Sequence, residues 1–209
     1  YHGDSCIRLT GKNGSVEFAV LIDPYDAKAT GLKVLRPSSV DVVLSTTGVL
    51  PEFEAGPFCI VGPGEYEVRG VMIIGIVVGK TTVYRIETEG TVIVHLGNCS
   101  TPLPATIIEQ LNGVDVLFVP VGGPAPRSLG EVGHGVLTAK QAMEAIEQVE
   151  PRVVIPIQYR ISGAQLPYDG PEAFCKEMGC STKLLEERFR VVKKDLPADE
   201  MVVKMLAVS

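Results

Sequence analysis

Residues 71–97, VMIIGIVVGKTTVYRIETEGTVIVHLG, decide the fold class of this chain. They contain three apolar runs, Val71–Val78, Thr82–Thr88 and Thr91–Leu96, which are rich in valine and isoleucine and separated by glycine. Runs of this length and composition predict β-strands. The two-residue connection Glu89-Gly90 predicts a hairpin between the second and third strands. This part of the chain therefore indicates an antiparallel sheet.

The elements predicted before this sheet differ from those predicted after it. Further strands are predicted before it, at Val16–Asp23, Val40–Ser45, Phe58–Val61 and Glu65–Val68. After it, helices alternate with strands: a helix from near Thr101-Pro102 to Gly113, the strand Val114–Val121, a helix from Thr138 to Pro151, the strand Val153–Ile157, a short helix near Pro171–Met178 and a final strand Glu200–Val208. Thr138 and Gln141 have the spacing of a capping box. We predict a single α/β domain over residues 1–209, with the Gly/Pro stretch Gly122–Gly135 as an inserted loop.

Composition and charge exclude several classes of function. The 209 residues are 45% hydrophobic and 21% charged, which is typical of a folded chain. The net charge of −6 leaves no basic surplus, so we expect neither nucleic acid nor a membrane surface as a partner. The longest apolar run is far shorter than the ~20 residues of a spanning helix. The start, Tyr1-His2-Gly3-Asp4, lacks the basic residues and the apolar run of a signal peptide.

Five cysteines, with no Cys-x-x-Cys pair, predict reduced thiols in a cytoplasmic protein and neither a disulfide framework nor a zinc knuckle. The three histidines are far apart in sequence; we interpret His95, at a strand end, as structural and His134 as a surface residue. Cys99 and His95 could form a nucleophile pair, although only geometry identifies such pairs. Asp23 follows a strand, where it could either line a site or cap the next turn.

Seven blocks of sequence, in this order, resemble the metallo-β-lactamase fold superfamily: residues 3–9 (GDSCIRL), 21–25 (LIDPY), 41–45 (DVVLS), 62–68 (GPGEYEV), 95–97 (HLG), 115–123 (DVLFVPVGG) and 150–156 (EPRVVIP). The nearest branch in appearance is that of the small zinc-dependent hydrolase-like proteins, which include the ascorbate-phosphate lactonases. The resemblance implies a four-layer αββα sandwich of two mixed β-sheets flanked by helices. It also implies a site at one edge, between the two sheets.

The metal-binding residues of that superfamily are missing from the matching positions. Its His-x-His-x-Asp-His loop is replaced by a segment with Thr46, Gly48, Leu50 and Pro51 at the ligand positions. The metal-bridging aspartate is Asn98, the last histidine is Gln158, and a histidine in the first block is Asp4. The loop that should hold the middle histidine is only Gly79-Lys80-Thr81. Neutral oxygens are weak ligands for zinc, so we expect no metal and no cofactor.

These replacements favour a metal-free, catalytically inactive relative, a pseudoenzyme that keeps the fold to bind a small polar ligand or a protein partner, or to assemble as a homo-oligomer. A second hypothesis is a hydrolase or lactonase with a displaced site drawn from Asp4, Asp23, Cys99, Arg160 and His134. A third is a subunit of a larger assembly whose former site is filled. If the chain adopts this fold, the residues Asp4, Asp23, Ser45, Thr46, Asn98 and Gln158 should converge on one edge as a vestigial polar site, with Leu50 and Pro51 closing part of the space.

Overall fold

Two β-sheets face each other in the computed structural model, which describes residues 1–35, 39–51, 56–123, 135–198 and 200–209. The smaller sheet has the order β1-β2-β3-β4, formed by Ile7–Asn13, Val16–Ile22, Val42–Leu44 and Phe58–Ile60. The larger sheet has the order β11-β10-β9-β8-β7-β6-β5. Its strands, from β5 to β11, are Gly64–Val68, Val71–Val78, Thr81–Thr88, Thr91–His95, Val116–Pro120, Val153–Ile157 and Val202–Val203.

Both sheets are mixed. In the smaller one, β1 and β2 are antiparallel, whereas β2, β3 and β4 run parallel. In the larger one, β5 to β8 form an antiparallel meander and β8 to β11 run parallel. The predicted hairpin is present, with Thr88 paired to Thr91 across Glu89-Gly90. The predicted fold class of two mixed sheets with flanking helices is confirmed.

The main hydrophobic core lies between the two sheets. Successive side chains of a strand point to opposite faces. Val20 and Ile22 of β2 therefore join the main core, while Leu21 between them joins a second cluster with Cys6 and Val43 on the outer face of the smaller sheet. Loop side chains, and not a long helix, cover that cluster: Tyr25, Leu35, Val40 and Leu50.

The helices are short. They comprise α1 at Ala27–Thr30, α2 at Ala105–Gln110, α3 at Ala139–Val149 and α4 at Glu172–Met178, with one 3-10 turn at Lys193–Asp195. The predicted capping box at the start of α3 is confirmed, because Thr138 Oγ1 accepts from Gln141 N and Thr138 N donates to Gln141 Oε1. Within the ranges given above, none of these helices has the length and apolar character needed to cross a membrane.

Several predicted elements differ from the structure. Strand β1 was not predicted, since its sequence, IRLTGKN, contains glycine, lysine and asparagine and lies at a sheet edge where such residues are tolerated. The predicted final strand is reduced to Val202–Val203, and α2 begins only after Pro104. Most of the predicted inserted loop, including His134, lies outside the described residues.

The prediction that all cysteines are reduced is wrong for one pair. Cys175 and Cys180 form a disulfide, with their Cα atoms 4.5 Å apart. Gly179 ends α4 in the left-handed conformation and turns the chain back, so that Cys180 N donates to Cys175 O. This helix-ending turn brings together two cysteines five positions apart. Among the described residues, Cys6, Cys59 and Cys99 are free thiols.

Candidate functional site

A group of polar side chains lies where four strands end. Asp23 follows β2, Thr46 lies just beyond β3, Asn98 lies beyond β8, and Gln158 follows β10. Strands β2 and β3 are parallel, as are β8, β9 and β10, so their carboxyl ends share one edge within each sheet. Because the two sheets face each other, these two edges lie close together. The four side chains form one hydrogen-bonded network there.

Thr46 and Asp23 form the strongest contact in this network. Thr46 Oγ1 donates to Asp23 Oδ2 at 2.6 Å, and Thr46 N donates to Asp23 Oδ1 at 2.7 Å. Asp23 N in turn donates to Leu44 O at 2.9 Å. Both carboxylate oxygens are thus occupied by one residue of the neighbouring loop. The sequence left open whether Asp23 lines a site or caps the next turn. This geometry supports the first interpretation, in which Asp23 lines the strand-end site.

Asn98 connects the two sheets. Its side-chain Nδ2 donates to Thr46 Oγ1 at 3.1 Å, and its backbone N–H donates to the same oxygen at 3.3 Å. This approach requires glycine at the preceding position. A Cβ on Gly97, which has φ +52°, would overlap the Thr46 side chain. The glycine of the motif His95-Leu96-Gly97 is therefore required in this chain for a steric reason that involves no metal.

Gln158 extends the network to the amino-terminal loop. Its Nε2 donates to Asn98 Oδ1 at 2.8 Å, to Asp4 Oδ1 at 3.3 Å and to Tyr168 Oη at 3.4 Å. Its backbone N–H donates to Asp4 O at 2.9 Å. The side chain is fully buried, and its Oε1 has no hydrogen-bond partner within the described ranges.

Burial controls the ionisation of the two carboxyl groups. It raises the pKa of Asp23 to about 6, although hydrogen bonds from Thr46 and Ser5 oppose the shift. It also raises the pKa of Asp4, against hydrogen bonds involving Gln158 and Tyr168. Desolvation disfavours the charged form of a carboxyl group, and no cationic side chain is among the causes of either shift.

Two tyrosines of this region were not anticipated from the sequence. Tyr84 is fully buried, and its hydroxyl donates to Ser45 O at 2.9 Å and to Ile60 O at 3.2 Å, which links β7 to the loop after β3. Tyr168 lies against Gln158, and burial raises its pKa. A tyrosine within a predicted central strand is a usable signal, because a buried hydroxyl needs a partner. Tyr168, in a loop, carries no such signal.

Four of the predicted site residues do not join the network. Ser45 Oγ donates to Val49 O at 2.7 Å, within its own loop. Gly48 is exposed, Pro51 is half-buried, and Leu50 packs against the cluster on the outer face of the smaller sheet. The expectation that Leu50 closes the polar space is therefore wrong, because its side chain is used to cover Cys6, Leu21 and Val43.

The alternative catalytic residues are engaged elsewhere or not described. Cys99 is buried, its Sγ contacts Thr101 O at 3.2 Å, and burial raises the pKa of its thiol. His95 is fully buried with Nε2 2.9 Å from Ser5 O, and burial lowers its pKa to about 4. The Cys99–His95 nucleophile pair is not formed, and the structural interpretation of His95 fits this environment. Arg160 is exposed and its backbone pairs with Asp169.

The chemistry of these donors does not fit the metal of the resembled superfamily. Zinc prefers thiolate, imidazole and carboxylate ligands. The network instead presents two hydroxyls, two amides and two carboxyls, and both oxygens of Asp23 accept hydrogen bonds from Thr46. Across the part of the chain that the structure describes, no three residues among His, Cys, Asp and Glu are grouped to hold a metal ion.

Comparison with known proteins agrees with this fold. Residues 1–158 match the model of the β-lactamase superfamily domain, and the chain belongs to that family. The resemblance inferred from the seven sequence blocks is thereby confirmed.

Individual relatives place the chain among proteins named as hydrolases. It is 26% identical over 134 residues to the UPF0173 metal-dependent hydrolase of Pyrococcus abyssi, an alignment covering 58% of this chain and 54% of the relative. It is 29% identical over 175 residues to a UPF0173 protein of Pyrococcus furiosus, covering 83% and 71%. The chain thus spans about half the length of the first relative. A Thermotoga maritima structure, described as a Zn-dependent hydrolase of the metallo-β-lactamase superfamily, superposes with a TM-score of 0.74 at 24% identity, covering 99% of this chain and 97% of its own.

Proposed function

We propose that this chain is a metal-free and catalytically inactive member of the metallo-β-lactamase superfamily that retains the fold for binding or assembly. The observation that carries the proposal is the closed polar network, in which Thr46, Asn98 and Gln158 bond to one another and to Asp23 and Asp4. These five residues come from four strand ends and the amino-terminal loop, and they take up much of one another's hydrogen-bonding capacity.

The arrangement has a physical reason. A bound cation offsets the charge of carboxylates gathered at a metal site. Without the cation, buried carboxylates are penalised, and the charge of the site has to fall. A neutral Asn98 at the position where the superfamily has an aspartate lowers it, and the amides of Asn98 and Gln158 supply donors in place of a cation. The raised pKa values of Asp4 and Asp23 indicate that the remaining negative charge is still costly.

The occupant of such a site would be a small polar ligand, and a protein partner or a second copy of the chain could bind elsewhere on the fold. Neither nucleic acid nor a membrane surface is proposed as a partner, because the net charge is −6. The expected cytoplasmic location stays a prediction. Counting the free thiols of protein isolated from its natural source tests this location, because a disulfide such as Cys175–Cys180 persists mainly in oxidising compartments.

The competing hypothesis, hydrolysis at a displaced site, is favoured by the names of relatives, among them the UPF0173 metal-dependent hydrolase of Pyrococcus abyssi. The surroundings of Cys99 make this residue a poor nucleophile, since a buried thiol with a raised pKa has little thiolate at neutral pH. The third hypothesis, a filled site in a subunit of a larger assembly, differs from the first in requiring a stable oligomer, which light scattering measures.

Elemental analysis and a substrate panel together test the proposal. The protein is purified without chelators, its zinc, iron and manganese are quantified, and it is assayed on lactones and phosphodiesters with and without added zinc and manganese. We expect metal far below one ion per chain and no turnover above buffer. Turnover that rises with added metal and falls in the Asp23→Asn variant would overturn inactivity. Turnover unaffected by metal but lost in Cys99→Ser would support the displaced site.

A further inference from the structure

A groove of about 860 Å³ lies at the opposite end of β10 from Gln158. It opens between helices α3 and α4 and is bordered by residues 198, 200 and 201. Ile146 and three methionines, Met143, Met178 and Met201, supply apolar surface to it. The chain has only five methionines, so most of them line this one surface.

Four exposed glutamates also line the groove: Glu147, Glu150, Glu177 and Glu200. The one cationic side chain among its described lining residues is Arg152, whose Nε lies 3.7 Å from Asp115 Oδ1, a nearly buried carboxylate. The groove therefore combines an adaptable apolar surface with an excess of negative charge around it.

The positions of the glutamates add to this negative field. Helix α3 has no basic residue in its last turn and ends at Glu150, which adopts the left-handed conformation with φ +50°. The carboxyl end of a helix carries partial negative charge and is stabilised by cations, and glycine is the usual residue at a left-handed cap. Glu147 and Glu150 are both unfavourable choices for helix stability at this end. A cationic group bound in the groove would offset that cost.

We propose that this groove docks a basic amphipathic helix of a partner protein. Methionine is unbranched and polarisable, and it packs against varied apolar side chains. A helix bound in an apolar groove is recognised through the residues on one of its faces. In this groove, leucine or phenylalanine would pack against the methionines. Lysine and arginine on the flanks of the same helix would meet the glutamates. This proposal goes beyond the function proposed above and does not depend on the strand-end network.

Binding of a designed peptide tests the proposal. The probe is a fluorescein-labelled helical Lys/Leu peptide of about 18 residues with all leucines on one face, measured by fluorescence anisotropy on the full chain. Two peptides serve as references: a scrambled peptide of the same composition with no apolar face, and a Glu/Leu peptide with the same pattern.

Three protein variants separate the contributions. The double variant Glu147→Lys, Glu177→Lys reverses the charge of the groove, and Met143→Gln, Met178→Gln removes apolar surface with little change in volume. The double variant Glu65→Lys, Glu109→Lys, at exposed positions on β5 and α2 outside the groove, is the matched control because it changes the net charge by the same amount. Circular dichroism and the unfolding midpoint confirm that each variant is folded before titration.

We expect both groove variants to weaken binding of the amphipathic peptide at least about tenfold, and Glu65→Lys, Glu109→Lys to change it less than about twofold. The scrambled and Glu/Leu peptides should bind far more weakly. No saturable binding of the amphipathic peptide, or equal weakening by Glu65→Lys, Glu109→Lys and by the groove variants, would overturn the proposal. So would self-association of the wild-type chain that disappears in the Glu147→Lys, Glu177→Lys variant, because the occupant would then be a second copy.

Discussion

Thr46 satisfies both oxygens of the Asp23 carboxylate, one through its hydroxyl at 2.6 Å and the other through its backbone N–H at 2.7 Å. This pair joins the loop after β3 to the end of β2, and Asn98 then joins both to the larger sheet. The strand-end network is thus a structural connection between the two sheets as well as a candidate binding site.

Replacing Thr46 by valine should destabilise the protein by about 1–3 kcal/mol, because a buried carboxyl group loses a donor that valine cannot replace. Chemical denaturation at pH 7 measures the loss. Thr88→Val is the matched control: the Thr88 hydroxyl is buried but has no hydrogen-bond partner among the described residues, so its removal should be neutral or stabilising. Equal losses in the two variants would contradict the role assigned to Thr46.

The stability difference between the wild-type protein and Asp23→Asn should depend on pH. Burial raises the pKa of Asp23 from 3.8 to about 6. Between these values the folded state holds a proton that the unfolded state has released, so stability falls as pH rises. Relative to Asp23→Asn, the wild-type protein should lose up to about 3 kcal/mol between pH 4 and 6 and then level off. A difference that stays constant or increases with pH would contradict the assignment.

His95 contributes with the opposite sign over nearly the same range. Burial lowers its pKa from 6.5 to about 4, so the folded state excludes a proton that the unfolded state binds. Its contribution to stability therefore rises with pH over this window. The His95 contribution therefore opposes that of Asp23 in the wild-type curve, and only the difference from Asp23→Asn isolates the carboxyl group. Urea denaturation at half-unit pH intervals supplies both curves.

Gly97→Ala should cost at least about 2 kcal/mol, because the added methyl group overlaps Thr46 in a tightly packed region and the backbone is left-handed. Gly90→Ala provides the comparison. Gly90 has φ +70°, but no heavy atom lies within 4 Å of the position that its Cβ would occupy, so only the backbone penalty of about 1 kcal/mol applies. A loss no greater than that of Gly90→Ala would show that the two sheets do not depend on this close approach.

The Cys175–Cys180 disulfide closes a loop of six residues, for which chain entropy gives a stabilisation of about 2 kcal/mol. Cys180→Ser should lower the free energy of unfolding by that amount, whereas Cys59→Ser, at an exposed free thiol, should leave it unchanged. Thiol titration in denaturant without reductant should find three thiols per chain. Five titratable thiols would mean that the disulfide is absent under those conditions.

Restoring the superfamily's loop ligands alone should not restore a metal site. The variant Thr46→His, Gly48→His, Leu50→Asp, Pro51→His still has amides at Asn98 and Gln158, which are weak zinc ligands. After dialysis against excess zinc and gel filtration, we expect well under one ion per chain by elemental analysis. The same variant with Asn98→Asp and Gln158→His is the comparison. Stoichiometric zinc in the wild-type protein would contradict the proposed loss of metal binding.

The sequence by itself determined the fold class, because apolar periodicity, Gly-containing turns and capping residues act locally. The hairpin at Glu89-Gly90 and the cap at Thr138 were predictable because each depends on residues within a few positions. It also determined, through the order of seven blocks, which strand ends would carry polar residues. Strand β1 was not predicted because its composition is not typical of a strand. It is stabilised by its pairing with β2.

Only the tertiary structure decided which of those polar residues meet. Thr46 joins the network while Ser45, one residue earlier, donates to Val49 O within its own loop, and nothing in the local sequence distinguishes these two hydroxyl side chains. Leu50 covers the outer face of the smaller sheet, a role set by the apolar surface that Leu21 and Val43 present there and not by its neighbours in sequence. The acidic methionine groove likewise arises from the packing of α3 against α4, since its residues are spread from position 143 to 201 and no local pattern joins them.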